Sequence, residues 1–433
     1  RRAAAMAGFG LCTYSCVCAQ CTPAAAPPPP IPAPSTAAEA AAVPPRLQAV
    51  LQHLAVMGIP RASDLPPRNP SGADQQPRLL PRSCAHNAGL TRPGPRKVVG
   101  PKSVPFELGA YELGQGCYCY LQPEGQWGYS NSGLVVGDDN ESLMVDTFFD
   151  LSLTERLMRG YAPVTAGAPV TKLVNTHVHA DHIFGNQVVR DEALKRGVEL
   201  EIVQTAATAR EVADMPPDFP EKFERMRTAP ANIEAMKFFQ SCFSPFTWQG
   251  VNLTHATSTF SGHRSITVGK QRDADTKVEL FELGPAHSQG DLVCWVPHSK
   301  VLYSGDLLFV GGTPIVWCGP TENWVRACDR MLELQPEVIV PGHGPVCGLD
   351  GIRDVKAYLE LITAEARKRF NAGLGVVEAA KSIDLGRFRE WSDSERIGVN
   401  VDTLYREWGA KPDVPPGGEG LYHWHLMSQC AKR

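Results

Sequence analysis

Short apolar runs, each followed by a stretch of helical periodicity, recur through the middle of the chain. Residues 134–137 and 142–145 read as strands on either side of an Asp138-Asp139-Asn140 turn. Helical spacing follows over 153–161, then a strand at 171–175, a helix at 183–195 and a strand at 199–204. Further on, 277–283, 291–296 and 301–304 are strand-like, 324–334 is helical, and 337–340 is again strand-like. Strands alternating with helices predict an α/β layered domain. The segment 205–261 interrupts this rhythm with helix-like stretches (206–213, 220–227, 232–240) and an aromatic group, Phe238, Phe239, Phe243, Phe246 and Trp248. These rings either anchor a helical cap or wall a substrate pocket. Helical periodicity resumes from 351 through 370 and again over 394–408, and this C-terminal region is a candidate cleft cover or homodimer contact.

The first hundred residues lack any such pattern. They are rich in Ala and Pro, including Pro27 to Pro30, with one amphipathic candidate helix over 44–57. A segment of this composition cannot bury enough apolar surface to offset its ordering entropy, so a disordered leader is expected over 1–104. Those residues carry 11 Lys or Arg against 3 Asp or Glu, a balance of +8, and none of the acids precedes Glu39. An acid-free leader fits an organelle transit peptide better than a secretory signal; an unstructured tail is the plain alternative. The remaining residues then carry −12 of the net −4, and an acidic body argues against nucleic acid as a partner. No run of about 18 apolar residues occurs, so a soluble, intracellular protein without a membrane span is expected. Thirteen cysteines without regular spacing argue against a disulfide framework. Cys12, Cys16, Cys18 and Cys21 cluster, but in low-complexity sequence that offers no scaffold for a metal.

Chemistry concentrates in His177-Val-His179-Ala-Asp181-His182, four metal-competent side chains in six residues. His287, Asp306 and His343 follow at wide spacing, so five of the twelve histidines belong to one constellation. Nearly adjacent imidazoles beside a carboxylate have no packing rationale, and mixed imidazole and carboxylate donors suit zinc or iron. The set divides into His177, His179 and His287 for one metal and Asp181, His182 and His343 for a second. Asp306 is the candidate bridge. Three protein ligands per metal leave a position open for water, the mark of a catalytic site. His423 and His425 resemble a further metal pair, but read as exposed tail residues.

This ordered series of motifs, preceded by Asp146 at the end of Ser142-Leu143-Met144-Val145, resembles the metallo-β-lactamase superfamily over roughly residues 105–370. The resemblance implies a four-layer αβ/βα sandwich with metals on loops at one edge, and a role for Asp146 in orienting the metal loop. Together with the helical periodicity after 351, the chain is read as a catalytic domain over 105–350, with the 205–261 insertion, and a helical region over 351–433 packed on it. The Asp306 position is kept in glyoxalase II and acyl-homoserine lactonases and is absent from the β-lactamases that share the His-x-His-x-Asp-His loop.

The expected activity is therefore hydrolysis of a small ester, thioester, lactone or lactam by a hydroxide bridging two zinc ions, with Asp181 both ligand and orienting group. Alternatives are a mononuclear iron persulfide dioxygenase, a β-lactamase-type amide hydrolase, and a scaffold that keeps the site only for stability. The 311–317 loop and Trp127, in the Gly-rich stretch 123–133, are candidate cleft walls.

Overall fold

The computed structural model of the chain describes residues 96–97, 104–123, 127–137, 141–271, 274–412 and 421–431. The candidate helix at 44–57, the transit-peptide reading, the four-cysteine cluster and the Asp138 to Asn140 turn lie outside the described residues.

Two sheets carry the architecture. The first has eight strands in sequential order: β1 (Arg96–Lys97), β2 (Gly109–Gly114), β3 (Cys117–Leu121), β4 (Ser132–Val136), β5 (Ser142–Val145), β6 (Val170–Val174), β7 (Glu201–Thr205) and β8 (Ser258–Phe260). Strands β2 to β5 are antiparallel, whereas β5 to β8 run parallel and need crossover helices. Those crossovers are α1 (Leu151–Thr165) between β5 and β6, then α2 (Ala180–Ile183) and α3 (Asn186–Lys195) before β7. The second sheet is ordered β13 (Val338–His343), β12 (Val301–Phe309), β11 (Leu292–Val296), β10 (Ala274–Glu282) and β9 (His263–Gln271). It is antiparallel except for the parallel β12–β13 pair, whose crossover is α7 (Thr321–Glu333).

The sheets pack face to face. Tyr111, Val135, Leu143 and Val174 of the first meet Val268, Leu280, Cys294 and Tyr303 of the second in one buried cluster. Tyr303 reaches across to donate its hydroxyl to the carbonyls of Tyr118 and Leu134, at 3.0 and 3.2 Å. A second cluster lies under the helices, so the layers run helix, sheet, sheet, helix. Strand β12 is buried at all nine positions, which fits the apolar runs at its two ends, Val301 to Tyr303 and Leu307 to Phe309, on either side of Ser304, Gly305 and Asp306. Helix α1 begins where Asp150 accepts the Leu153 amide at 2.7 Å, an N-cap bond typically contributing about 1 kcal/mol.

Several elements depart from the sequence expectations. Within the stretch read as a leader, the described Arg96–Lys97 pairs in parallel with Tyr111 and Glu112. The helix expected at 183–195 is split at Phe184 and Gly185 into α2 and α3. Gly185 has no room for a side chain, since a Cβ there would meet Thr154 Oγ1 at 2.0 Å. Strand β9 and the short β2 and β8 are additional. β9 is long but reads polar because the exposed residues of an edge strand break the apolar pattern.

Between β7 and β8 the chain makes three helices, α4 (Ala206–Asp214), α5 (Phe219–Thr228) and α6 (Glu234–Phe243). After β13 come α8 (Leu349–Asn371), α9 (Val376–Ser382), α10 (Ile397–Glu407) and α11 (Tyr422–Cys430). Helix α11 packs on α6, where Trp424 meets Phe239 and Phe243 with ring centroids 5.1 and 5.4 Å apart. The cap and the C-terminal helices therefore share one aromatic core. No helix among the described residues is long and apolar enough to cross a membrane.

Candidate metal centre

All seven candidate ligands converge at one edge of the two sheets. His177, His179, His287 and Asp306 bring one ligand atom each within 4.8 Å of one another, and Asp181, His182 and His343 form a second group of the same compactness. Strand β6 ends at Val174 and feeds the loop that carries His177 and His179, while Asp181 and His182 sit on the single turn of α2. His287 follows β10, and His343 is the last residue of β13.

Asp306 is placed differently from the expectation that it follows a strand ending at 304. It lies inside β12, where the pairing with β13 slips between Tyr303, Gly305 and Phe309. Gly305 makes this possible with φ +50, a left-handed conformation, while a Cβ there would strike Thr176 Oγ1 at 2.5 Å. The irregularity turns the Asp306 carboxylate into the cluster. Its Oδ1 is 3.1 Å from His182 Nε2, and its Oδ2 is 3.2 Å from His287 Nε2 and 3.4 Å from His343 Nε2. Asp306 thus touches histidines of both groups.

Backbone and side-chain acceptors fix the ring orientations. His287 Nδ1 lies 2.7 Å from the Ile315 carbonyl and His343 Nδ1 lies 3.1 Å from the Tyr129 carbonyl. A carbonyl can only accept, so both rings carry a proton on Nδ1, and once neutral they present the lone pair at Nε2. His182 Nδ1 donates likewise to Asp146 Oδ2 at 3.0 Å, and His177 Nδ1 to Thr176 Oγ1 at 3.0 Å. His179 is the exception. It turns Nδ1 inward, 2.8 Å from His287 Nε2.

The donor set fits metal ions. Among the described residues His177 Nε2 is buried without a hydrogen-bond partner, and His182 Nε2 and Asp306 Oδ1, though 3.1 Å apart, are not aligned for a hydrogen bond; such groups are costly to bury unless a cation satisfies them. Without metal, protons balance the charge. Burial and the neighbouring His287 push His179 down to about 3. Burial alone would also lower His343, but Asp306 and Asp181 outweigh it and raise the imidazole to about 9. His182 rises in the same way beside Asp306, Asp146 and Asp181. Burial favours a neutral Asp306, yet His343, His182 and His177 hold its carboxyl well below the usual range. A divalent cation would take the place of those protons.

The cleft above the cluster is lined by Trp127, Phe149, Phe243, Phe309, Ile315, Trp317 and Arg396 besides the ligands. A second depression shares His179, His287 and Trp317 with it, so Trp317 stands in both walls. Of the aromatic group in the insertion, only Phe243 reaches the cleft. Phe239, Phe246 and Trp248 are buried, the last two against Phe149, and serve as core.

Arg396 and Phe309 were not among the sequence candidates. Phe309 had a signal, three residues beyond Asp306; its ring stacks on His343 at 5.0 Å. Arg396 had none, since it meets the cleft only through the fold. His423 is also corrected. It is buried, with Nε2 3.5 Å from Asp402 Oδ2 and its ring 5.6 Å from Trp317, rather than exposed in a tail.

A linear primary-alkylsulfatase from Pseudomonas sp. (strain ATCC 19151) is 22% identical over 266 residues, covering 56% of this chain and 48% of that protein. A metallo-beta-lactamase type 2 from Bacillus sp. (strain 170) is 23% identical over 224 residues, covering 50% of this chain and 67% of its own. Among solved structures, a stereoselective inverting sec-alkylsulfatase from Pseudomonas sp. superposes with a TM-score of 0.53 at 17% identity, over 72% of this chain and 51% of the other. The chain spans about half the length of the alkylsulfatases it matches. The metallo-beta-lactamase superfamily model matches residues 125–343, a stretch that contains every ligand candidate, and with the two-sheet fold around that site the chain belongs to the metallo-beta-lactamase superfamily of metal-dependent hydrolases.

Proposed function

We propose that the chain holds two zinc ions and hydrolyses a small ester, thioester, lactone or lactam. The observation that carries this reading is the Asp306 carboxylate, within 3.4 Å of histidines from both ligand groups. His177, His179 and His287 would hold one ion, Asp181, His182 and His343 the other, with Asp306 between them. Bound there, the metals would supply a water ionised near neutral pH and a Lewis acid for the carbonyl oxygen.

The chain's own residues do the rest. Asp181 is the ligand carboxylate that is most open to the cleft, 15% exposed against 4% for Asp306, so it can accept a hydrogen bond from the attacking water and aim it. Ser130 restrains that loop by donating to the Asp181 carbonyl at 2.6 Å. Trp127, Phe243 and Trp317 exclude water and favour an apolar acyl or ring portion beside the ligand cluster. Residues 105–350 form the catalytic body in this reading, and 351–433 complete its cleft.

The test is metal analysis and a substrate panel on one preparation. Zinc-reconstituted protein should carry two metals per chain and turn over at least one member of a thioester, lactone, ester and β-lactam panel. A linear alkyl sulfate belongs in it because of the alkylsulfatase relative. Protein that never exceeds one metal, isolated with iron and active only on glutathione persulfide, would replace this reading with the dioxygenase one.

A further inference from the structure

We propose that Arg396 is an anion anchor, and that the substrate carries a carboxylate on the part distant from the bond being cleaved. This rests on the hydrolase reading above and deepens it. Arg396 lies outside the stretch that matches the family, in the C-terminal helical region, yet its side chain lines the metal cleft and is only 2% exposed. Apart from the metal-ligand candidates, it is the one charged residue among the described residues lining that cleft.

The guanidinium is held but not satisfied. Its face lies over the Trp127 ring at 4.2 Å and towards Phe309 at 5.2 Å, which fixes its plane. One Nη donates to the Thr313 carbonyl at 2.9 Å, and the other is 3.4 Å from Asp393 Oδ2, too long for a strong charge-assisted bond. Nε has no hydrogen-bond partner among the described residues. Glu395 lies close enough to share in balancing the charge, but makes no hydrogen bond to the guanidinium; its Oε1 accepts the Trp127 indole at 3.1 Å.

The charge is shared with Asp393 and Glu395, but a buried guanidinium whose Nε donor has no acceptor among the described residues calls for one from a ligand. The surrounding rings fix what that acceptor is attached to. Trp127 and Phe309 touch the guanidinium, and Phe309 stacks in turn on His343, so an apolar linker joins the anion site to the ligand cluster. An amphiphilic ester or thioester with a terminal carboxylate spans those two points. An alkyl sulfate would instead bring its only charge to the metals and leave Arg396 unmet.

The experiment uses metal-loaded full chain and half-thioesters of dicarboxylic acids with two to six methylenes, each paired with the terminal carboxamide. Wild type should prefer the acid over the amide by at least roughly tenfold in kcat/KM, mostly through KM, at one best chain length. Arg396→Gln should bring that ratio close to one, and Arg396→Lys should retain part of it. A guanidinium that only pins the C-terminal region would lower acid and amide together and leave the ratio unmoved, which would overturn the proposal. Calorimetric titration with the glutaric acid monoanilide and its carboxamide reads binding independently of turnover. Loss of selectivity for the acid anilide in Arg396→Gln would support the anchor even where no thioester is cleaved, in which case the hydrolase reading alone fails. Equal binding of the two anilides by wild type would sink the anchor and leave the hydrolase reading to its own test.

Discussion

Asp146 Oδ2 lies 3.0 Å from His182 Nδ1, while its Oδ1 accepts the Thr176 amide at 2.7 Å. One carboxylate thus orients a ligand candidate and ties down the loop entering the metal motif. Thr176 Oγ1 completes the chain, donating to Asp146 Oδ2 at 2.7 Å and receiving His177 Nδ1 at 3.0 Å. Asp146 does this from a left-handed backbone position with φ +61, a conformation that costs energy and is held by these bonds. Asp146→Ala should reduce metal affinity and activity by about 10- to 100-fold, the usual effect of losing such a partner. Metal titration of the folded variant is the check, and unchanged affinity would remove Asp146 from the site.

Asp306→Ala should lower metal content at both positions, because the carboxylate approaches histidines of each group. Elemental analysis after equilibrium dialysis measures it. Retention of one full equivalent would show that Asp306 serves a single ion.

Gly342→Ala tests the site through packing alone. A Cβ there would lie 2.0 Å from Asp306 Oδ1 and 2.7 Å from the Gly305 carbonyl carbon. The carboxylate must move, so metal binding should fall sharply while thermal unfolding shows a loss of about 1–3 kcal/mol. A variant with wild-type metal content would contradict the geometry around Asp306.

Metal uptake near pH 7 should release protons. Asp306 and Asp181 overcome burial to hold metal-free His343 at about 9, so its imidazole is charged at neutral pH and must deprotonate to bind a cation. Apparent affinity should therefore rise as pH rises toward 9. Calorimetry in buffers of different ionisation enthalpy counts the released protons; none released at pH 7 would refute this.

Trp317→Ala should change kcat/KM for short and long acyl substrates by different factors with metal content intact, since the ring lines both the cleft and the depression beside it. Equal losses, or lost zinc, would give Trp317 a supporting role.

The chain's own order of residues determined much of this protein. His-x-His-x-Asp-His is local, and its meaning survives without a fold because four donors in six residues cannot all be core. The apolar runs determined the layered α/β class, since period and burial are read along one segment. Tertiary structure decided what depends on residues far apart. Asp306 took its place through a register slip at Gly305 that no strand pattern encodes. The aromatic group of the insertion was divided by packing between distant segments: Phe239 and Phe243 both meet Trp424, Phe246 and Trp248 meet Phe149, and only Phe243 also lines the cleft. Arg396 is in the cleft for the same reason. A lone arginine on a helical stretch reads as solvated, and only the packing of the region after His343 onto Trp127 and Phe309 makes it a buried charge.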